Sequence, residues 1–222
     1  MIANAGWLLL WGVVVGLDLI CVAQTMVSRP LVAGTVAGAI AGDPVAGMAV
    51  GVILELFALE VQPFGATRYP DYGLGAVAAA AAAAGAPAIL GTGVGVSLGL
   101  IVAFVGGKGL HLRRIRNGLD VDRHLDQLEQ GNLRIIYALH LRGLAREVLR
   151  SLIVTAFGLL LAEAIRRWAP LTVQGAVYLG IVTLGAAVSA AVTGAIRLAG
   201  RKSAQQWFVL GLLGGLVGLM LR

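Results

Sequence analysis

Apolar residues run along this chain in blocks separated by prolines, glycines and charges, and the block lengths predict helices of several kinds. Residues 5–27 are apolar apart from Asp18, Gln24 and Thr25. As a helix they reach ~35 Å, enough to cross ~30 Å of hydrocarbon. Arg29-Pro30 ends that block. Leu31–Gly42 is shorter, ~18 Å as a helix, and Asp43-Pro44 stops it. Val45–Leu59 reaches ~23 Å at most and carries Glu55 near its far end. Two short apolar segments interrupted by Asp-Pro predict a re-entrant pair or a broken helix in preference to an ordinary tight hairpin of short helices. Such backbone is tolerated at membrane depth only where protein or a wet cavity surrounds it, and substrate sites are often built on it.

Farther along, Gln62–Tyr72 holds Pro63, Gly65, Arg68, Tyr69, Pro70 and Asp71 and reads as an irregular loop. Gly73–Gly107 is small and apolar, and its alanine run, Ala78–Ala84, suits close helix packing. Pro87 and Gly91-Thr92-Gly93-Val94-Gly95 interrupt it; the glycine run is only superficially a phosphate loop, because no βαβ context or ribose-binding acid accompanies it. Between Lys108 and Arg150, Leu112, Ile115 and Leu119, then Leu133, Ile136, His140, Leu141, Leu144 and Val148, recur at helical spacing among charges, with a break at Gly131-Asn132. Two basic amphipathic helices on the cytoplasmic membrane surface fit this pattern, and so does a helical hairpin that docks a soluble partner. Further spans are expected over 151–165, extendable to Trp168, from Pro170 to about Leu198, and over Trp207–Leu221, where Gly211/Gly215 and Gly214/Gly218 have the GxxxG spacing of packed helices. The expectation is an all-α, polytopic integral membrane protein in three regions: a membrane core with broken helices (1–107), a basic amphipathic segment (108–150) and C-terminal spans (151–222).

Composition sharpens this picture. The 222 residues are 59% hydrophobic and only 13% charged, with a mean hydropathy of +0.89, whereas soluble domains carry roughly 25% charged residues. Too little polar surface is available for a soluble globule. The net charge of +6 would fit nucleic acid in a soluble chain, but its distribution points elsewhere. Only Arg29 and Arg68 precede Lys108, and nine basic residues lie from Lys108 through Arg150. That asymmetry is the positive-inside bias of a membrane protein and makes the segment cytoplasmic; nucleic acid is not an expected partner. The single cysteine, Cys21, excludes an intrachain disulfide or a cysteine metal cluster. Without a basic n-region or a clear cleavage site, the first apolar block reads as a retained span.

Glu55 is the acid that most needs an explanation. A carboxylate at mid-membrane costs ~2.5–3.5 kcal/mol on insertion scales, so it should bind substrate or a proton, or else hydrogen-bond the terminus of a broken helix. Gln24 can exchange hydrogen bonds with a hydroxylated ligand. Asp43, before a proline, suits a helix end, and Asp71 suits a helix cap. No Ser-His-Asp set, metal-spaced cluster or P-loop can be assembled. His111, His124 and His140 all fall in or beside the basic segment and read as solvated. No catalytic residue, metal or cofactor is expected.

The run Ser28-Arg29-Pro30-Leu31-Val32-Ala33-Gly34-Thr35, then Gly38, Gly42-Asp43, Gly47 and Gly51, resembles the IIC permease component of mannose/fructose/sorbose-type phosphotransferase systems (PTS). Leu54-Glu55, Ala58-Leu59, Gly65-Ala66 and Pro70-Asp71 continue the spacing, and Gly131-Asn132-Leu133, His140 and Arg150 also fall where that family has them, so the resemblance covers roughly residues 10–165. It implies a multi-pass protein of the bacterial inner membrane. The chain would pair with a IID-type membrane subunit, in a hetero-oligomer that can also self-associate. Together they would bind a hexose and move it by an elevator-like displacement, while a soluble IIAB-type phosphocarrier phosphorylates it. By motif position it makes Glu55 the sugar-binding carboxylate with Gln24 as a contributor, and Arg29, Pro30, Gly42, Asp43, Pro70 and Asp71 the residues that shape the site. Pro63 stands where familiar members have a polar amide, and Glu60 and Arg68 add charge to a usually apolar loop. Two other functions are compatible with the residues. One is a non-transporting scaffold or receptor subunit that docks a regulatory protein through segment 108–150. The other is an ion-coupled carrier that uses Asp18 and Glu55 as proton sites.

Overall fold

A computed structural model describes residues 4–22, 24–61, 67–86, 88–168, 172–199 and 206. The span expected at Trp207–Leu221, its paired glycines and Pro63 lie outside these. The described residues form helices and no strand: α1 (Ala5–Ile20), α2 (Pro30–Ala41), α3 (Pro44–Ala58), α4 (Tyr72–Ala83), α5 (Ala88–Asp122), α6 (Leu125–Glu129), α7 (Leu133–Trp168) and α8 (Val173–Ala199). Three of them, over Leu90–Asp122, Leu133–Trp168 and Val173–Ala195, are long and apolar enough to cross a membrane. The expected polytopic all-α fold is what the chain adopts.

The first apolar block does not make one helix to residue 27. α1 stops at Ile20 because Asp18, 4% exposed, draws the following chain back onto itself. Its Oδ1 accepts from the Thr25 N–H (2.6 Å) and hydroxyl (2.8 Å), and its Oδ2 from the Ser28 N–H (2.9 Å). Gln24 and Met26 take positive φ in that turn. A helix continued to residue 27 would leave the Asp18 carboxylate unpaired in an apolar surround, where it is costly. Asp18→Ala is therefore expected to destabilise the chain by ~1.5–3 kcal/mol, the worth of hydrogen bonds to a charged group, with Asp18→Asn milder. Unfolding midpoints in detergent check the magnitude, and faster proteolysis between Cys21 and Arg29 checks the location.

α2 and α3 form an antiparallel pair of 12 and 15 residues, ~18 and ~22 Å long, each too short to cross ~30 Å alone. Both begin with Pro at the first helical position, where its missing N–H costs nothing. Gly42 (φ 91°) closes α2, and the Asp43 carboxylate caps α3 by accepting from the Ala46 N–H (2.9 Å). Their contact is glycine on glycine. A Cβ on Gly38 would stand 2.7 Å from the Gly47 Cα, and one on Gly34 would stand 2.8 Å from the Gly47 carbonyl.

The alanine run of α4 is buried from Ala78 to Ala81. The glycine run 91–95 does not interrupt its segment; it is helical within α5. Those glycines are contact points. A Cβ on Gly95 would meet the Ala79 carbonyl of α4 at 2.7 Å, and one on Gly93 would meet the Gly180 nitrogen of α8 at 2.5 Å. α1 packs on α7 in the same manner, with Gly12 and Gly16 under Thr155 and Ser151. Small residues substitute for hydrophobic drive where the solvent is itself apolar.

The basic stretch consists of the continuous ends of α5 and α7, joined through α6; both long helices run unbroken past Lys108 and Arg150. Its amphipathic helices are therefore extensions of membrane helices rather than separate surface elements. Leu112, Ile115, Leu119 and Leu141 nevertheless remain about half exposed or more.

Candidate functional site

A cavity of about 190 Å³ opens at the end of the α2–α3 pair opposite its turn, lined among others by Ser28, Arg29, Pro30, Tyr69, Pro70, Asp71 and Tyr72. Four devices build it. The Asp18 clamp delivers Ser28 and Arg29 to the start of α2. Arg29 is extended (φ −63°, ψ 133°), as the following proline requires. Asp71 begins α4, its Oδ1 accepting from the Leu74 N–H (3.1 Å) while its own N–H donates to the Ala103 carbonyl of α5 (2.8 Å). The Tyr72 ring stacks on Phe57 with centroids 6.3 Å apart, locking the first turn of α4 to the last turn of α3.

Glu55 sits one turn before the end of α3, directly beside the start of α2. Its Oε1 pairs with Arg29 Nη2, and its Oε2 accepts from the Leu31 N–H (3.2 Å), one of the N–H groups a helix leaves unpaired in its first turn. The helix dipole favours an anion there. The carboxylate is 18% exposed and the Arg29 side chain 47%, so the pair sits at the rim of the cavity and not in the closed core. Glu55 thus combines a broken-helix hydrogen bond with a cation that faces open space.

The structure divides the residues singled out from sequence. Arg29, Pro30, Pro70 and Asp71 line one cavity, with Glu55 bonded to Arg29 at its edge. Gln24 is on the exposed turn after α1 and not among the lining residues. Gly42 and Asp43 are at the opposite end of α2, ~18 Å away by helix rise, and act as turn and cap. Asp18 spends both carboxylate oxygens on the turn. Around the cavity, hydroxyls of Ser28, Tyr69 and Tyr72, the Arg29 guanidinium and two tyrosine rings offer hydrogen bonds and flat apolar faces, a combination suited to a small polyhydroxylated ligand. Among the described residues no group of three His, Cys, Asp or Glu side chains is arranged to hold a metal.

One constellation was not anticipated. Asp71 Oδ2 pairs with Arg150 Nη2 (2.8 Å). The same guanidinium forks onto Glu147 through Nε (3.0 Å) and Nη2 (2.5 Å), and donates through Nη1 to the Gly106 carbonyl (3.0 Å). Glu147 Oε1 also accepts from Ser151 Oγ (3.2 Å), and its Oε2 pairs with Arg113 Nε (3.1 Å). Two acids and two bases thus form a neutral chain inside the bundle. Glu147 is wholly buried, and the Asp71 and Arg150 side chains are 1% and 7% exposed. The chain ties the cavity wall on α4 to α5 and α7. A signal for it is present in the sequence: Glu147 is the one acid between Glu129 and Glu163, three residues before Arg150.

Three comparisons bear on identity. The family model described as "PTS system sorbose-specific iic component" matches residues 2–175. A solved structure described as "Structure of membrane protein" superposes with a TM-score of 0.76 at 21% identity, over 100% of this chain and 92% of that one; at that identity the likeness is one of fold. No curated protein matches the chain. The match takes in the broken helices, the cavity and the buried ion chain together, and the chain belongs to the PTS sorbose-specific IIC component family, as a sugar-specific membrane permease subunit that works with other components of its phosphotransferase system.

Proposed function

We propose that this chain is the translocating subunit for a hexose of the mannose, fructose and sorbose class, held in the cavity between Arg29, Tyr69 and Tyr72 with Glu55 as its anchoring carboxylate. The reading places the protein in a bacterial inner membrane, paired with a IID-type subunit that completes the site, and leaves phosphorylation to a soluble IIAB-type component. The observation that carries it is the Glu55–Arg29 pair at the junction of two broken helices, beside a cavity rich in hydroxyls. A carboxylate that accepts from two sugar hydroxyls can exchange them for Arg29, which turns toward the ligand in the same step. Movement of the α2–α3 pair relative to the long helices would follow the elevator-like scheme that the family resemblance implies.

The test is calorimetric binding of hexoses to the purified chain with its IID-type partner. Glu55→Gln is expected to weaken saturable binding roughly 10- to 150-fold, the worth of one charge-assisted hydrogen bond. Asp43→Asn, at the far end of α2, should leave affinity unchanged. If the folded wild-type pair binds no mannose-, fructose-, sorbose- or amino-sugar-class ligand, the proposal fails. The scaffold reading then gains, and its specific support is that Glu55 already has two partners within the chain.

A further inference from the structure

A second cleft, of about 330 Å³, backs onto the first, with Tyr69 and Pro70 as their common wall. Its other side chains include Arg68, Lys108, His111 and Phe104, and among the described residues no carboxylate lines it. The wall is braced from behind. Arg114 donates to the Thr67 carbonyl (3.0 Å) and the Tyr69 hydroxyl (2.9 Å) and lies 5.1 Å from the Tyr69 ring centroid. At Gly107 the loop backbone of Tyr69 and Pro70 rests directly on α5, and a Cβ there would come within 3.0 Å of the Pro70 Cα. Arg114 is therefore used in construction, while Arg68 and Lys108 make no ion pair among the described residues. Lys108 instead lies 4.6 Å over the Phe104 ring. Elsewhere in the basic stretch, Arg113, Arg123, Arg146 and Arg150 each have an acid partner.

Two uncompensated cations and an imidazole that converge on an aromatic floor suit an anion that carries several acceptor oxygens and an apolar or flat remainder. Lys108 is twenty residues into α5, ~30 Å of rise from Ala88, the thickness of the hydrocarbon layer. Phe104, one turn deeper, is 58% exposed. The cleft thus stands at the membrane–water boundary, with its cations on the water side. We propose that the cleft of Arg68, Lys108 and His111 binds a phosphoryl group, presented either as the phosphodiester of an anionic lipid headgroup or as a soluble phosphate ester. The proposal rests on these side chains alone and stands apart from the reading of the sugar cavity.

The full chain, the Arg68→Gln/Lys108→Gln variant and an Arg116→Gln/Arg142→Gln control, which removes two charges outside the cleft, are to be compared. In one arm, native mass spectrometry measures retention of phosphatidylglycerol against phosphatidylcholine. In the other, thermal unfolding in neutral detergent is followed against inorganic phosphate and hexose 6-phosphate. The expected result is a phosphate-bearing ligand bound saturably by the wild type and the control, with affinity reduced roughly thirtyfold in the cleft variant. Binding confined to the lipid arm identifies a headgroup site, and binding confined to the soluble arm identifies a phosphate-ester site. No binding in either arm by folded wild type, or equal losses in the cleft variant and the control, overturns the proposal. Because Arg68 and Lys108 are both exposed, the variant keeps its core, which an unchanged unfolding midpoint without ligand confirms.

Discussion

Arg150→Ala is expected to lower the stability of the folded chain by ~3–5 kcal/mol, the cost of removing one partner from a buried ion pair. The magnitude follows from what stays behind. Glu147, with 0% side-chain exposure, would lose its fork, and Asp71, at 1%, would keep only the Leu74 N–H for its carboxylate. The Gly106 carbonyl would lose its donor as well. Arg113 reaches Glu147 but not Asp71, so it cannot rescue the second acid. Arg150→Lys retains the charge, yet one ammonium cannot place donors on Glu147, Asp71 and Gly106 in the planar geometry of the guanidinium; about half the loss is expected there. Denaturant unfolding of the purified chain in detergent measures both. A change below ~0.5 kcal/mol in Arg150→Ala, within the range of an ordinary surface substitution, would show that water reaches these groups. Because Asp71 also lines the cavity proposed for the sugar, the same variant should lose ligand affinity even at temperatures where it remains folded.

Gly47→Ala is the second large expectation. One added methyl would overlap the Gly34 carbonyl and stand 2.7 Å from the Gly38 Cα, backbone on both sides. Backbone of a packed helix cannot swing aside as a side chain does, so α3 must move off α2. Overpacking of this kind costs ~1–3 kcal/mol and at times more. The displacement also carries functional weight, because Glu55 is two turns farther along the same helix and its bond to the Leu31 N–H is already 3.2 Å. Stability and hexose affinity should therefore fall together. Gly118→Ala and Gly185→Ala supply the contrast. Both are helical glycines with nothing among the described residues, beyond their own helix backbone, within 4 Å of the added atom, and each should gain ~0.5–1 kcal/mol from lower backbone entropy in the unfolded chain. If Gly47→Ala behaves as they do in thermal unfolding, the close glycine seam is not the contact that holds the pair together.

Much of the architecture was legible in the residues because it is decided locally. Pro30 and Pro44 each stand at a first helical position, where the ring is tolerated, and a helix interior would not hold them. Asp43 and Asp71 announce caps three residues ahead of the N–H they accept from. Lengths of apolar blocks mark α2 and α3 as too short to cross a bilayer, and chained motifs around Gly34, Gly47 and Glu55 carry the family. These signals need no knowledge of what lies across the bundle.

Other features had no local signature. The block 5–27 looks continuous, and only the reach of Asp18 to Thr25 and Ser28 ends α1 at Ile20. The glycines at 91–95 look like a break and are helical because α4 and α8 press against them. Glu55, Arg29 and Pro30 meet Pro70 and Asp71 across the fold, whereas Gln24, Gly42 and Asp43, also singled out in sequence, are left elsewhere. Glu147 and Arg150 read as two more charges in a basic stretch until Asp71 and Arg113 arrive from other helices. The amino-acid sequence by itself determined the membrane class, the pair of short helices and the family, all consequences of side-chain chemistry and chain stiffness over a few residues. The tertiary structure alone decided which polar groups share a cavity and which charges are buried. The cost of hiding a charge is set by the groups that surround it in space, and neighbours in space are not neighbours along the chain.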